Sequence, residues 1–300
     1  MDPSKGTPRE PQVEASPALQ AYYGTFESRV VYQIVLEGNH HFGYYEKDTY
    51  WPFPIGPSLR RMKDKVLGLL ELPTGSKLLD AGCGNGHTAL YMAQHGMHVT
   101  GIDVIDHMLD EAQQKVKRAS DSDGQLVIRK LDFHHLQSIS REYFDGIYTL
   151  QSFGHATDPE KVLAGFLRIL KPGGRIVLVE TEPRRDFDAD VADDELDEQL
   201  KLVSRYTVLP VNDMSREGYF QALLESAGFV DVKVCDWSEN IKPILRLFYA
   251  FAWLPFFFVR LFHLEKRYVN MVAGTAGYLG LPKRWRFLAI SASKPKDVCV

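Results

Sequence analysis

An apolar run that opens into glycine at every second position, Leu78-Leu79-Asp80-Ala81-Gly82-Cys83-Gly84-Asn85-Gly86, calls for a buried strand ending in a sharp loop. Glycine lets the backbone turn at positive φ and lets a ligand lie against it with no Cβ between. Around this point short apolar runs alternate with amphipathic ones. Strands are expected at Lys77–Ala81, His98–Val104, Leu126–Leu131, Gly146–Leu150 and Arg175–Glu180. Helices are expected at Thr88–His95, from Asp106 to Arg118, and from Pro159 to Leu170. Lys171-Pro172-Gly173-Gly174 reads as a stop and turn before the fifth strand. Val230–Cys235 and Phe287–Ser293 are two later strand candidates. This alternation predicts a doubly wound α/β domain, a parallel sheet with helices on both faces. In such a sheet ligands bind in the crevice at the strand carboxyl ends, where the glycine loop falls.

The dinucleotide fingerprint is the competing reading of the loop. Counted from Gly82 and Gly84 it would need glycine at position 87, where the chain has His87. Two more acids stand at strand ends. Asp103 closes the second strand, placed to accept ribose hydroxyls. Asp132 follows the third, placed to accept from an adenine amino group while Phe133 packs on the ring. Any one of them alone could be a helix cap or a turn residue. Three in register point to a nucleoside-bearing ligand.

The set Leu79-Asp80-Ala81-Gly82-Cys83-Gly84-Asn85-Gly86, Asp103, Asp132 and Leu170-Lys171-Pro172-Gly173-Gly174 resembles the class I S-adenosylmethionine-dependent methyltransferases. The resemblance spans about residues 58–236 plus the last strand. It implies a Rossmann-like sheet of seven strands, the last antiparallel and inserted beside its predecessor. It implies S-adenosylmethionine as cofactor, with Asp80, Gly82 and Gly84 along its methionine portion, Asp103 at the ribose, Asp132 and Phe133 at the adenine, and Cys83 and Val104 also among the cofactor-binding residues. Asn39-His40-His41-Phe42-Gly43-Tyr44-Tyr45 and Thr149-Leu150-Gln151-Ser152-Phe153-Gly154-His155-Ala156 are similar to the sterol and tocopherol C-methyltransferase branch. Gln151, beside the cofactor by the resemblance, stands where that branch carries glutamate, which sets this chain apart from sterol side-chain chemistry.

A sulfonium methyl is already activated, so transfer is largely a matter of in-line positioning in a dry pocket. Oxygen or nitrogen nucleophiles benefit from a base, for which His155 is the best placed residue; a capping or ring-orienting role competes. Gln151 and Tyr44 complete the catalytic candidates. Tyr44 and Tyr45 either close over the cofactor or pack the cap. His134 and His135 read as structural, and no metal is required by these patterns. The expected reaction is methyl transfer to carbon or oxygen of a hydrophobic small molecule such as an isoprenoid, sterol-like compound or polyketide. N-methylation of an alkaloid or amine is one alternative. A non-methylating protein that keeps the cofactor fold, as a binding module or to guide another rearrangement, is a second.

The rest of the chain frames this core. Residues 1–17 read as a disordered tail, 18–57 as an aromatic cap over one sheet edge, 58–237 as the core, 238–285 as a helical insertion, and 286–300 as the last strand and tail. Leu247–Val259 is the most apolar stretch, and Pro255 is expected to split it into two short helices. Three roles compete for residues 246–262: core or homodimer contact, the wall of an apolar substrate pocket, or peripheral contact with a membrane surface. Glu182–Glu198 carries nine acids against two arginines and reads as a solvated loop or helix face, with attraction of a cation as the alternative. Thirty-five basic against thirty-nine acidic side chains leave a net charge of -4, which argues against a nucleic-acid partner. Three scattered cysteines and no leader-like segment point to the cytoplasm.

Overall fold

The computed structural model describes residues 17–25, 31–118, 125–184, 194–281 and 283–296. Nearly all of the expected tail and residues 185–193 of the acidic tract lie outside the described residues. In chain order the elements are α1 (Pro17–Gly24), a π-helical turn (Val31–Val35), α2 (Ile55–Leu70), β1 (Lys77–Ala81), α3 (His87–Gln94) and β2 (His98–Asp103). There follow α4 (Asp106–Arg118), β3 (Leu126–Lys130), β4 (Phe144–Leu150), α5 (Pro159–Ile169) and β5 (Leu170–Pro183). The chain closes with α6 (Asp194–Tyr206), α7 (Pro210–Met214), α8 (Tyr219–Ser226), β6 (Val230–Asp236), α9 (Ser238–Leu261), α10 (Val269–Gly280) and β7 (Trp285–Ser293).

The strands form one seven-stranded sheet in the order β3-β2-β1-β4-β5-β7-β6. β1 to β5 pair in parallel, and β7 runs antiparallel between β5 and β6. The order reverses between β1 and β4, which opens the crevice there. Side chains along each strand alternate between two apolar layers. Leu78, Tyr148, Val177, Val179, Phe287 and Ala289 face α2, α3 and α9. Leu79, Ile147, Ile176, Leu178, Leu288 and Ile290 face α5 and α8. A one-residue slip would exchange the layers, so packing on both faces fixes the register. Helix α5 begins where Asp158 accepts the Lys161 amide at 3.0 Å, with Pro159 in the first turn.

Four expectations change. Lys171–Gly174 does not end the ladder before β5. Pairing passes from Phe144–Leu170 to Gly146–Arg175, so the segment bulges out between two paired positions, with Gly173 at φ +76. Pro255 does not split the insertion. Helix α9 runs unbroken to Leu261, and both the proline and Phe251, whose carbonyl it cannot bond, are exposed residues of the helix. Glu182 of the acidic tract is not solvated. It is fully buried, accepting from Arg286 at 2.6 Å across β5 and β7 and from the Gly218 amide before α8 at 3.2 Å. Finally, the N-terminal cap does not lie along a sheet edge. Gln20 of α1 donates to the Val104 carbonyl at 2.9 Å, over the crevice, and Phe42 packs edge-on against Phe287.

Candidate active site

Three glycines in left-handed conformation shape the loop after β1: Gly82 (φ +90), Gly84 (φ +52) and Gly86 (φ +81). Gly82 lets the Ser152 side chain approach, since a Cβ there would stand 2.4 Å from Ser152 Cβ. At Gly84 a Cβ would meet no protein atom closer than 3.8 Å. The protein's own packing does not demand glycine at 84. The space it spares belongs to the cavity.

Asp103 ties this loop to the end of β2. Its Oδ2 accepts the Gly84 amide at 2.7 Å, and its Oδ1 accepts Val104 and Ile105 at 2.7 and 2.9 Å. Burial raises its pKa while these amides act in the opposite direction. Asp80 is buried with one hydroxyl donor, Tyr148 at 2.8 Å, and burial pushes it up to about 7. Asp132 accepts the His134 amide at 2.8 Å and its Nδ1 at 2.6 Å. His134 Nε2 in turn accepts the Thr157 amide at 3.0 Å, which fixes the ring that orients the acid. Burial also holds the Cys83 thiol protonated.

These groups line one cavity with about 1130 Å³ of open space counted out to its mouth. Asp80, Gly82, Cys83, Gly84, Asp103, Val104, Asp132, Phe133, Gln151 and His155 all line it. Three carboxylates and neither Lys nor Arg appear among its described lining residues. The charge balance suits a cationic guest. S-adenosylmethionine, with its ammonium and sulfonium, fits the buried Asp80 and the space above Gly84.

The catalytic candidates fare differently. His155 Nδ1 donates to the Val208 carbonyl at 2.6 Å, leaving Nε2 to accept from the Tyr23 hydroxyl at 3.1 Å. Burial lowers its pKa, so the ring is neutral with both nitrogens engaged. The ring-orienting reading of this histidine fits that geometry, and the general-base reading does not. Gln151, at φ +57, accepts the Phe42 amide through Oε1 at 2.8 Å and so fastens the cap to the β4 end. Tyr44 lies outside the cavity, edge-on to Trp237 at 5.3 Å with Lys65 over its ring at 4.9 Å. It is a packing residue of the cap. Tyr45 is buried with its hydroxyl on the Pro52 carbonyl. No described lining residue comes from α9 or α10, so the aromatic insertion is not the cavity wall.

Sequence reasoning passed over several residues that do line it. Tyr23 reaches in from α1, and Val208 enters with a left-handed backbone (φ +57), strained for a β-branched residue. His40 and His41 stand in the quoted cap motif, whose tyrosines drew the attention instead. His40 stacks on Tyr32 at 4.4 Å, and His41 Nδ1 donates to the Phe42 carbonyl at 2.9 Å. Burial lowers both to about 3, and His40 Nδ1 and His41 Nε2 are buried without a hydrogen-bond partner.

Residues 79–178 match the family described as a methyltransferase domain. Over 281 residues the chain is 49% identical to the S-adenosyl-L-methionine-dependent Diels-Alderase iccD of Talaromyces variabilis, covering 94% of this chain and 96% of that one. The chain belongs to the class I S-adenosylmethionine-dependent methyltransferase family. S-adenosylmethionine is the cofactor of this methyltransferase-family protein. It is also 28% identical over 211 residues to an O-methyltransferase of Pyrenophora dematioidea, covering 70% of this chain and 75% of that one. The crystal structure of the [4+2]-cyclase SpnF has the same fold, with a TM-score of 0.68 at 20% identity over 96% of this chain and all of that one.

Proposed function

We propose that this methyltransferase-family protein binds S-adenosylmethionine and guides an intramolecular [4+2] cycloaddition of an apolar polyene, leaving the methyl on the cofactor. The observation that carries the reading is the 49% identity to a Diels-Alderase along nearly the whole chain. The cavity supports it. A cycloaddition needs no general base, and His155 has no free nitrogen to act as one. The cofactor supplies a sulfonium cation and an activated methyl group.

The reaction balances within one molecule. Two carbon–carbon σ bonds form between a conjugated diene and an alkene, two π bonds are consumed and the third moves to the centre of the former diene. No proton or leaving group is exchanged. Folding a flexible polyene into the reactive geometry is then the main demand on the chain. Leu19 and Leu150 offer apolar wall for this. His40 and His41, both held neutral by burial, complete the cavity lining without adding charge.

Methyl transfer to an oxygen of a secondary metabolite is the second reading, favoured by the similarity to an O-methyltransferase. One experiment separates the two. The protein is incubated with methyl-labelled S-adenosylmethionine and a linear polyene bearing a diene and a remote alkene. An isomer of unchanged mass, with the label still on intact cofactor, supports cycloaddition. Labelled product together with S-adenosylhomocysteine overturns it in favour of methylation.

A further inference from the structure

The first half of α9 is core, with Ile241, Ile244 and Leu245 buried against the sheet. Its second half is not. Phe251, Trp253, Phe257 and Phe262 are 64%, 59%, 60% and 62% exposed, and Leu254 and Leu261 lie between them. At ~150–250 Å² per aromatic side chain the patch on this helix is on the order of 800 Å². The largest apolar patch of a typical monomer is ~300–600 Å². The surface also continues beyond the helix. Arg246 donates to the Tyr50 carbonyl and stacks on the Tyr50 ring at 4.0 Å, joining exposed Tyr50, Trp51 and Phe53 to the side of α9 that carries Trp253 and Phe257.

The charges around the patch select its occupant. Residues 246–268 hold four cations, Arg246, Arg260, Lys266 and Arg267, against one acid, Glu265, in a chain whose net charge is -4. Arg260 is engaged by Glu195 of α6. Lys266 and Arg267 are exposed just past the helix end. A second copy of the chain in a two-fold dimer would lay this basic surface against itself. An anionic bilayer surface meets both the aromatic face and the cations. The helix, at 24 residues, has the length and apolarity to cross a membrane, but its first half is held in the core. That geometry suits lying in an interface and not spanning it.

We propose that the C-terminal half of α9, with the Tyr50–Phe53 loop and the Lys266-Arg267 pair, docks this protein on anionic lipid bilayers. The docking is independent of which reaction the cavity performs. The test is flotation of the full chain with vesicles of phosphatidylcholine alone and of phosphatidylcholine with phosphatidylserine, beside sedimentation equilibrium without lipid. The wild type should float with the phosphatidylserine vesicles and sediment as a monomer. Trp253→Ser with Phe257→Ser, both surface changes, should lose flotation while keeping the wild-type melting curve. Lys266→Gln with Arg267→Gln should weaken binding to the anionic vesicles by about 30-fold, at ~1 kcal/mol per lost cation. Failure of the wild type to float with either vesicle overturns the proposal. So does a lipid-free dimer abolished by the Trp253 and Phe257 changes, which would make the patch a subunit contact.

Discussion

Gly82 and Gly84 both have positive φ, yet alanine should act on them in opposite ways. At Gly82 the new Cβ would stand 2.4 Å from Ser152 Cβ and 2.6 Å from its Oγ. Ser152 must then move, giving up its 2.6 Å bond to the Ala81 carbonyl. Left-handed strain of roughly 1–2 kcal/mol, about 1 kcal/mol for the bond and roughly 1–3 kcal/mol for overpacking sum to roughly 3–6 kcal/mol. For a domain this large that lowers Tm by roughly 5–10 °C. At Gly84 only the strain of roughly 1–2 kcal/mol applies, a few degrees. There the methyl projects into the cavity, so cofactor affinity should fall about tenfold or more. Circular-dichroism melts and calorimetric titration of S-adenosylmethionine read the two quantities separately. Adding Ser152→Gly to Gly82→Ala should return about 2 kcal/mol, because it removes the clash and not the strain. The reasoning fails if Gly82→Ala melts within a few degrees of wild type. It fails equally if Gly84→Ala keeps full affinity, or if the Ser152 change rescues nothing.

Four further outcomes are expected. With burial pushing Asp80 up to about 7, an ammonium guest favours the ionised acid. Cofactor affinity should therefore rise with pH up to about 7 and level off above it, and Asp80→Asn should flatten the profile in calorimetry. Because folding raises this pKa, the cofactor-free protein should lose stability as pH climbs from the ordinary carboxylate range through about 7, seen as a falling Tm. Glu180 accepts the Ser152, Phe153 and Gly154 amides at 3.0, 2.7 and 3.3 Å, so Glu180→Gln, which turns an NH2 toward donors, should cost roughly 2–4 kcal/mol in chemical denaturation. Finally, His155 is neutral with both nitrogens engaged, so turnover at saturating cofactor should be flat between about pH 6 and 8; a rate that collapses there with a single protonation near 6.5 would restore it as a base.

The core was legible because its determinants are local. Leu78 and Leu79 face opposite layers by strand geometry alone, and Asp80, Asp103 and Asp132 sit at strand ends that apolar runs mark out. The cap was legible only in part. Composition announced aromatic packing over residues 18–57, but which ring reaches the cavity depends on how α1 sits over β2. Tyr23 is brought to His155 from 132 positions away, and Tyr44 is drawn instead onto Trp237 beside α9. Val208 carries no signal at all, since its carbonyl and not its side chain engages His155. Pro255 misled because the rule that proline ends helices assumes a carbonyl with nowhere to go. On an exposed face water can take it. Glu182 misled because its partner, Arg286, stands 104 residues along the chain.

Asp103 sets the terms on which any guest arrives. With Gly84, Val104 and Ile105 all bonded to its carboxylate, the glycine loop holds its shape before a ligand is near. Cofactor entry then involves no ordering of the loop, and little binding energy is lost to it. The cover over the crevice is held less firmly than the loop. Helix α1 closes over the crevice with Leu19 among Ile105 and Met108 and with two side-chain bonds, Gln20 to Val104 and Tyr23 to His155. Loosening that eight-residue helix should therefore change the rate of cofactor exchange while leaving the recognition motif intact.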